Sequence, residues 1–396
     1  MLYYVGVDIG KKNHSACVIN ESGKSVLAPF KFAVNASGYG RFLAAIRKVC
    51  THKKSITIAF EATGPYWLSL LERLKSSRFS NVVVFNPIQV AAFRNKSIRG
   101  TKTDAVDCSL IADILRFGDY VNYQVPGKDM LNLKRLSRFR WDMSHRVSRL
   151  KVKVLSILDQ VFPEYEDLFS NVFGTTSKAL LASASTPKEI VNLDLDKLKA
   201  LLKKASWNHL ADERAVLVKK TAACSVGTKL SLDSLSLQLK FMIENIQFLQ
   251  DQLKAVEDKM AALFNKQKTQ LTSIPGIAEV TGATILSEIG NIRNFTEDGA
   301  KKLVAFAGLD AKVKESGAFK GKRKMSKRGS RYLRRAIMQS SLVAATRDPF
   351  FKSIYEKHIS KGKPRVVALS HVANKMTHVI YSVLKNNEPF FRPEVA

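Results

Sequence analysis

Asp8 sits in Val5-Gly6-Val7-Asp8-Ile9-Gly10, among apolar neighbours and just ahead of a glycine that permits close approach of a backbone or ligand. A carboxylate on a central strand is costly unless a cation or hydrogen bonds satisfy it. Glu61 closes another apolar run, Ile56-Thr57-Ile58-Ala59-Phe60-Glu61, and the turn Ala62-Thr63-Gly64-Pro65 leaves it at a sheet edge. The two acids can therefore meet at one end of a sheet. Asp104 and Asp107 lie three apart in Thr103-Asp104-Ala105-Val106-Asp107, which puts both on one helix face. Thr103 serves as N-cap, and the positive helix end favours the acids. Four carboxylates brought together from two strands and a helix form the oxygen cage that one or two Mg²⁺ ions demand. Two such ions activate a water or hydroxyl and stabilise the leaving oxygen of a phosphodiester. Each acid also has an ordinary reading: Asp8 closing a hairpin, Glu61 capping a turn, Asp104 and Asp107 paired with Lys96, Arg99 or Lys102. Their joint placement in one small basic domain favours the metal.

The chain of 396 residues has 64 Lys+Arg against 34 Asp+Glu, a formal charge of +30. That excludes an ordinary acidic or neutral metabolic enzyme and points to a polyanionic partner, nucleic acid before an anionic membrane. The surplus is dense at Lys320, Lys322, Arg323, Lys324, Lys327, Arg328, Arg331, Arg334 and Arg335, with no acid in residues 317–335. A serine hydroxyl attacking phosphate needs such cations around the pentacovalent oxygens. Ser316, Ser326 and Ser330 all qualify, and the residues alone leave the choice open. Plain phosphate-backbone binding is the simpler use of the stretch, and both uses are compatible. A second basic series, Lys134, Arg135, Arg138, Arg140, Arg146, Arg149, Lys151 and Lys153, reads as a nucleic-acid-tracking helix face or as a merely solvated one.

No run of 18 apolar residues exists, and Asp8 arrives before a signal-type segment could form, so a soluble, cytoplasmic protein with no membrane partner is expected. Four cysteines lie far apart without a Cys-x-x-Cys pair, which argues against zinc and disulfides and for reduced, mostly buried thiols.

These residues must be positioned by elements that the hydrophobic pattern outlines. Residues 3–9 and 15–19 read as a hairpin, residues 55–60 and 81–85 as further strands, and residues 67–74 as the helix between them. A strand, helix and strand in that order suggest a βαβ unit inside an α/β domain with a mixed sheet, spanning about residues 1–125. Residues 126–269 are helical. Met143, Val147, Leu150, Val154, Ile157 and Val161 alternate by four and three, and Leu235, Leu239, Met242, Ile246, Leu249, Leu253, Val256, Met260 and Leu263 sustain the same seam. Such seams pair within one chain or between two. Residues 164–229 read as a small helical insertion of unknown role, and residues 270–396 as a mainly helical domain. There, residues 271–292 around Ile274-Pro275-Gly276-Ile277 suggest a helix-hairpin-helix, with a glycine turn facing phosphate.

The order Val-Asp-Ile-Gly, Phe-Glu-Ala-Thr-Gly and Asn-Lys-Ser-Ile-Arg-Gly-Thr-Lys-Thr-Asp-Ala-Val-Asp resembles the transposases of the IS-one-ten/IS-eleven-eleven insertion-sequence family. So do Ser273-Ile274-Pro275-Gly276-Ile277, Phe306-Ala307-Gly308-Leu309, Glu315-Ser316-Gly317, Met325-Ser326-Lys327-Arg328-Gly329 and Leu333-Arg334-Arg335. The resemblance implies a RuvC-like, ribonuclease H-fold domain with an Asp-Glu-Asp-Asp tetrad falling on Asp8, Glu61, Asp104 and Asp107. It also implies a C-terminal serine domain whose nucleophile falls on Ser316, ahead of Ser326, and a phosphoserine link to DNA. By the same resemblance, a structured non-coding bridge RNA pairs with donor and target DNA. The working form would then be a homo-oligomer, a dimer or tetramer, with the acids of one protomer beside the serine of another. Two rivals remain: a metal-dependent nuclease or junction resolvase using water, and a non-catalytic RNA- or DNA-binding protein.

Overall fold

The computed structural model describes residues 1–94, 103–118, 120, 123–205, 211–295, 298–312, 315–316, 319–320 and 324–392. Of the candidate nucleic-acid contacts, Lys102, Lys322 and Arg323 lie outside the described residues. The chain divides into two compact units, Met1–Pro126 with Asn291–Thr296, and Gly127–Gly290 with Glu297–Ala396. No helix among the described residues is long and apolar enough to cross a membrane.

In the first unit, β1 (Tyr3–Asp8), β2 (Asn13–Asn20) and β3 (Ser25–Ala33) are followed by α1 (Ala36–Val49) and β4 (Ile56–Glu61). Next come α2 (Trp67–Ser76), β5 (Val82–Phe85), α3 (Pro87–Arg94) and α4 (Asp104–Phe117). The sheet order is β3-β2-β1-β4-β5, with β1 antiparallel to β2 and parallel to β4, and β4 parallel to β5. The expected hairpin and parallel pair are both present. β3 was not among the expected strands: it alternates weakly, stays largely exposed and contains Pro29, as an edge strand tolerates. β1 is apolar on both faces, since Val5 and Val7 are fully buried under the α1 and α2 side while α4 covers the other.

The second unit opens with α5 (Lys128–Val161), then α6 (Thr175–Ser183), α7 (Pro187–Asn192), α8 (Leu195–Ala205), α9 (Ala211–Ala223) and α10 (Leu232–Asn265). α5 and α10, each of 34 residues, pack on each other within the chain. Val147, Val154, Ile157 and Val161 bury against Leu239, Ile243 and Ile246, so the seam closes intramolecularly. The insertion extends that core. Tyr165, Leu168, Leu180, Leu181, Ile190, Leu198 and Leu202 all bury in the same cluster, which explains why its apolar residues come in short bursts rather than one long stripe.

The unit continues with α11 (Glu279–Ile289), α12 (Gly299–Ala307), β6 (Ala311–Lys312), β7 (Glu315–Ser316), β8 (Phe319–Lys320) and β9 (Lys324–Met325). It ends with α13 (Arg331–Arg347), α14 (Pro349–Ile359) and α15 (Arg365–Asn386). The segment read as a helix-hairpin-helix differs: residues Leu271–Ser273 make a 3₁₀ turn, and only α11 follows as a helix. Gly276 adopts φ +85°, and a Cβ there would overlap the Ser340 carbonyl on α13. Its lack of a side chain serves close packing against α13, and the Ile277 N–H is already bonded to the Ile274 carbonyl. Of the cysteines, Cys17 and Cys108 are buried, Cys50 is half-buried and Cys224 is exposed, all as free thiols.

Candidate functional site

β1 and β4 run parallel with Val7 opposite Phe60, so Asp8 and Glu61, each the next residue, end their strands side by side. Glu61 is also in register with Phe85 of β5. The carboxyl ends of parallel strands are where α/β sheets gather functional groups. α4 reaches the same end because Gly6 lets it. A Cβ on Gly6 would overlap the Cys108 carbonyl and crowd Ala112, so the helix can lie directly on β1 only where the side chain is absent. That contact sets the first turn of α4 beside Asp8. Thr103 caps the helix, its Oγ1 accepting from the Val106 N–H at 3.3 Å, and Asp104 and Asp107 occupy the first turn as the spacing requires.

The proximity has an electrostatic consequence. Burial raises the Asp8 pKa above the ordinary value of 3.8, and the carboxylates of Asp107 and then Asp104 push it further. Asp107 is buried at 7% exposure and receives the Arg94 guanidinium at 3.0 Å. Asp104, on the surface, pairs with Lys31 of β3 at 2.7 Å, and that hydrogen bond holds its pKa below the ordinary range. The arrangement is thus a half-buried cluster of acids with two cations drawn in against it. Among the described residues, no three His, Cys, Asp or Glu close into a metal-holding group. The donors themselves are oxygen carboxylates of the kind a hard divalent cation takes, and the mutual repulsion at Asp8 is what such a cation would relieve. Arg94 and Lys31 were not among the candidates. Arg94 ends α3, and only the fold brings it to Asp107.

In the second unit, the basic stretch forms nested antiparallel pairs: β6 with β9, and inside it β7 with β8. Ser316 pairs with Phe319 and Glu315 with Lys320, so Ser316 stands at the innermost pair. The two rival serines have partners of a structural kind. The Ser326 hydroxyl donates to Asp310. Ser330 caps α13, accepting from the Leu333 N–H at 3.2 Å, and donates to Glu288 at 2.8 Å. Glu288, 1% exposed on α11, also takes Arg138 through two hydrogen bonds of 2.6 and 3.1 Å. Arg138 thus bonds the buried Glu288 while its side chain stays 45% exposed. Arg334 donates to the Ala307 carbonyl at the end of α12, and Arg335 contacts His145. Arg146 pairs with Asp142 on the surface, while Arg149, Lys324, Lys327 and Arg328 are exposed.

Comparison with known proteins fits this layout. A transposase model of the DEDD IS110 type matches residues 5–163, and the model described as transposase IS116/IS110/IS902 family matches residues 268–356. The chain belongs to the IS110 transposase family. It is 22% identical to the mini-circle putative transposase for IS117 of Streptomyces coelicolor, over 98% of this chain and 95% of that protein. It is 22% identical to the pilin gene-inverting protein of Moraxella bovis, over 98% and 97%, and 23% identical to the uncharacterized 42 kDa protein of insertion element IS900 of Mycobacterium paratuberculosis, over 97% and 96%. An IS110-family transposase is a DNA recombination enzyme, and DNA is its substrate. The first matched stretch contains Asp8, Glu61, Asp104 and Asp107, and the second contains Ser316.

Proposed function

We propose that this IS110-family transposase exchanges DNA strands through a phosphoserine intermediate at Ser316, aided by an acidic tetrad of Asp8, Glu61, Asp104 and Asp107 on a RuvC-like sheet. A structured RNA would select the sites. The observation that carries the reading is the common end of β1, β4 and α4, where Asp8, Asp104 and Asp107 lie within electrostatic reach of one another. Carboxylates held that way suit one or two Mg²⁺ ions, which Asp8, Glu61, Asp104 and Asp107 would hold. When bound, Mg²⁺ would supply Lewis-acid stabilisation of phosphate charge. The chain's own part is to hold the cluster preformed: Gly6 seats α4, Thr103 fixes its first turn, and Arg94 and Lys31 balance the acids.

In the covalent step, the Ser316 Oγ–phosphorus bond forms as the bond from phosphorus to the leaving sugar oxygen breaks. That oxygen departs with the proton lost by the serine. Attack by the hydroxyl of the incoming strand reverses the exchange and frees the serine. The acids of one protomer acting on the serine of another would make the oligomer the working form. Exposed cations such as Arg149, Lys324, Lys327 and Arg328 would bind phosphate, so affinity should fall steeply with salt, on the order of 10³-fold between 50 and 200 mM if about six phosphates are contacted.

The test is a denaturing gel of the protein incubated with Mg²⁺, its co-purified RNA and labelled DNA ends. A covalent adduct is expected with the wild type and absent in Ser316→Ala. Cleaved DNA without any adduct would move the chemistry to water, and an adduct that persists in Ser316→Ala would move it to Ser326 or Ser330.

A further inference from the structure

Within the second unit, α5, α13 and the turn before α11 wall a cleft of about 700 Å³. That is within the size of sites that enclose a drug- or nucleotide-sized ligand. Three arginines line it, Arg140, Arg335 and Arg347, and none of the described residues around it is acidic. Trp141 and Tyr332 line it as well, half-buried, edge to face with ring centroids 5.2 Å apart. The cations are set in place. Arg140 is tied to Glu257 at 2.6 Å, Arg335 contacts His145 at 2.8 Å, and the Arg331 guanidinium lies 4.7 Å from the Trp141 ring centre.

One buried group in the wall has nothing to do. Ser340 is 1% exposed and its hydroxyl has no hydrogen-bond partner. Buried hydroxyls are nearly always satisfied, so an orphan in the wall of a cleft is a group waiting for a ligand atom. Gly276 contributes the shape, because its bare backbone brings the turn down onto the Ser340 carbonyl.

We propose that this cleft holds one unpaired nucleotide of a nucleic-acid strand. The base lies against Trp141 and Tyr332, the phosphate sits toward Arg335 and Arg347, and the Ser340 hydroxyl bonds a polar edge of the base. Aromatic faces interleaved with arginine are the chemistry that holds unstacked bases, and a duplex is too wide to enter a cleft of this volume. The inference rests on the reading of the chain as a nucleic-acid-binding transposase. It adds that one nucleotide must leave its helix to be bound.

The experiment is a set of anisotropy titrations of the full-length protein at fixed salt. Its probes are a labelled ten-nucleotide single strand as RNA and as DNA, the same backbones carrying abasic residues, and the duplex. Trp141→Ala is expected to weaken binding of the intact single strands about tenfold, with Trp141→Phe recovering most of it. The abasic strands and the duplex should bind wild type and Trp141→Ala alike. Ser340→Val should weaken the intact strands in the same selective way. Tighter RNA than DNA would assign the occupant to the guide RNA, and the reverse to an exposed DNA strand. Equal losses on intact and abasic strands, or no loss, would overturn the proposal. Tryptophan fluorescence of the Trp67→Phe/Trp207→Phe protein, which leaves Trp141 as its one tryptophan, reads the same point should Trp141→Ala fail to fold. Quenching by the intact strand alone supports stacking, and quenching by neither or by both overturns it. Failure to bind any nucleic acid would sink the nucleic-acid reading as well, whereas binding indifferent to Trp141 sinks only the cleft.

Discussion

The acidic end of the first unit's sheet and the Glu288 cluster of the second unit use the same residue types to opposite ends. At the sheet, Asp8 is half-buried, and burial first and then the carboxylates of Asp107 and Asp104 raise its pKa against the weaker pull of the Ile9 N–H and Arg94. Glu288 is more deeply buried and is surrounded by donors: Arg138 twice, Ser330 once, and Lys134 at 3.9 Å. Crowded like charges store electrostatic repulsion that a ligand can relieve, while a carboxylate ringed by donors has nothing left to give a ligand. A buried acid whose neighbours repel it is open to a cation or proton, whereas one ringed by donors is structural.

The sharpest way to break that comparison is to neutralise each acid in turn. Asp107→Asn or Asp8→Asn should lower strand cleavage by at least about a thousandfold, on the scale of losing a group that acts directly in the chemistry, with the thermal midpoint unchanged or raised in Asp8→Asn, where repulsion is removed, and lowered in Asp107→Asn, where the ion pair to Arg94 is lost. Cleavage assays beside calorimetry check this. Wild-type cleavage by both variants would strip the sheet end of its proposed role.

Glu288→Ala should do the reverse. Removing Glu288 takes the acceptor from Ser330, Lys134 and the half-exposed Arg138 and should cost about 1–3 kcal/mol of stability, read as a lower urea midpoint, with exposed-cation binding of nucleic acid retained at temperatures where the variant stays folded. Ser330→Ala removes only the α13 cap and one hydrogen bond, worth about 1 kcal/mol. An adduct lost in Ser330→Ala at unchanged stability would reverse its assignment as a cap.

The two regions also differ in how far they could be read from the sequence. Asp8, Glu61, Asp104 and Asp107 were legible because strand ends and a helix first turn are local features, set by apolar runs and by Thr103. Their counterions were not, since Lys31 lies on an edge strand whose weak alternation hid it, and Arg94 reaches Asp107 only through the path of the fold. The basic series on α5 looked uniform in sequence. Arg138 is nevertheless bonded to the buried Glu288 while staying exposed itself, and that partner lies 150 positions away, beyond the reach of any local pattern. The seams of α5 and α10 were plain from spacing, yet whether they close within one chain depends on the loop between them. That loop turned out to carry the helices that complete the same core.

Glu189 in that insertion provides an intermediate case and the smallest expected effect. It closes a capping box with Thr186 and collects the Ser185 N–H and the Ser236 hydroxyl, with Lys240 at 2.5 Å, yet it stays partly exposed. Burial pushes its pKa up, but Lys240 and the hydroxyl and amide donors outweigh that and hold it at about 2, against an ordinary 4.5. The folded state thus binds its proton less readily than the unfolded chain does. Its stabilising contribution is complete above the ordinary value and is lost as the pH falls toward 2. Glu189→Gln keeps the size and the acceptor oxygen while removing the charge. The melting difference between wild type and variant should be widest near neutral pH and close progressively between pH 4.5 and 2. Solvent screening keeps it below the Glu288 effect. A difference independent of pH would mean that Glu189 acts through its shape and hydrogen bonds alone, and would place it with the neutral caps.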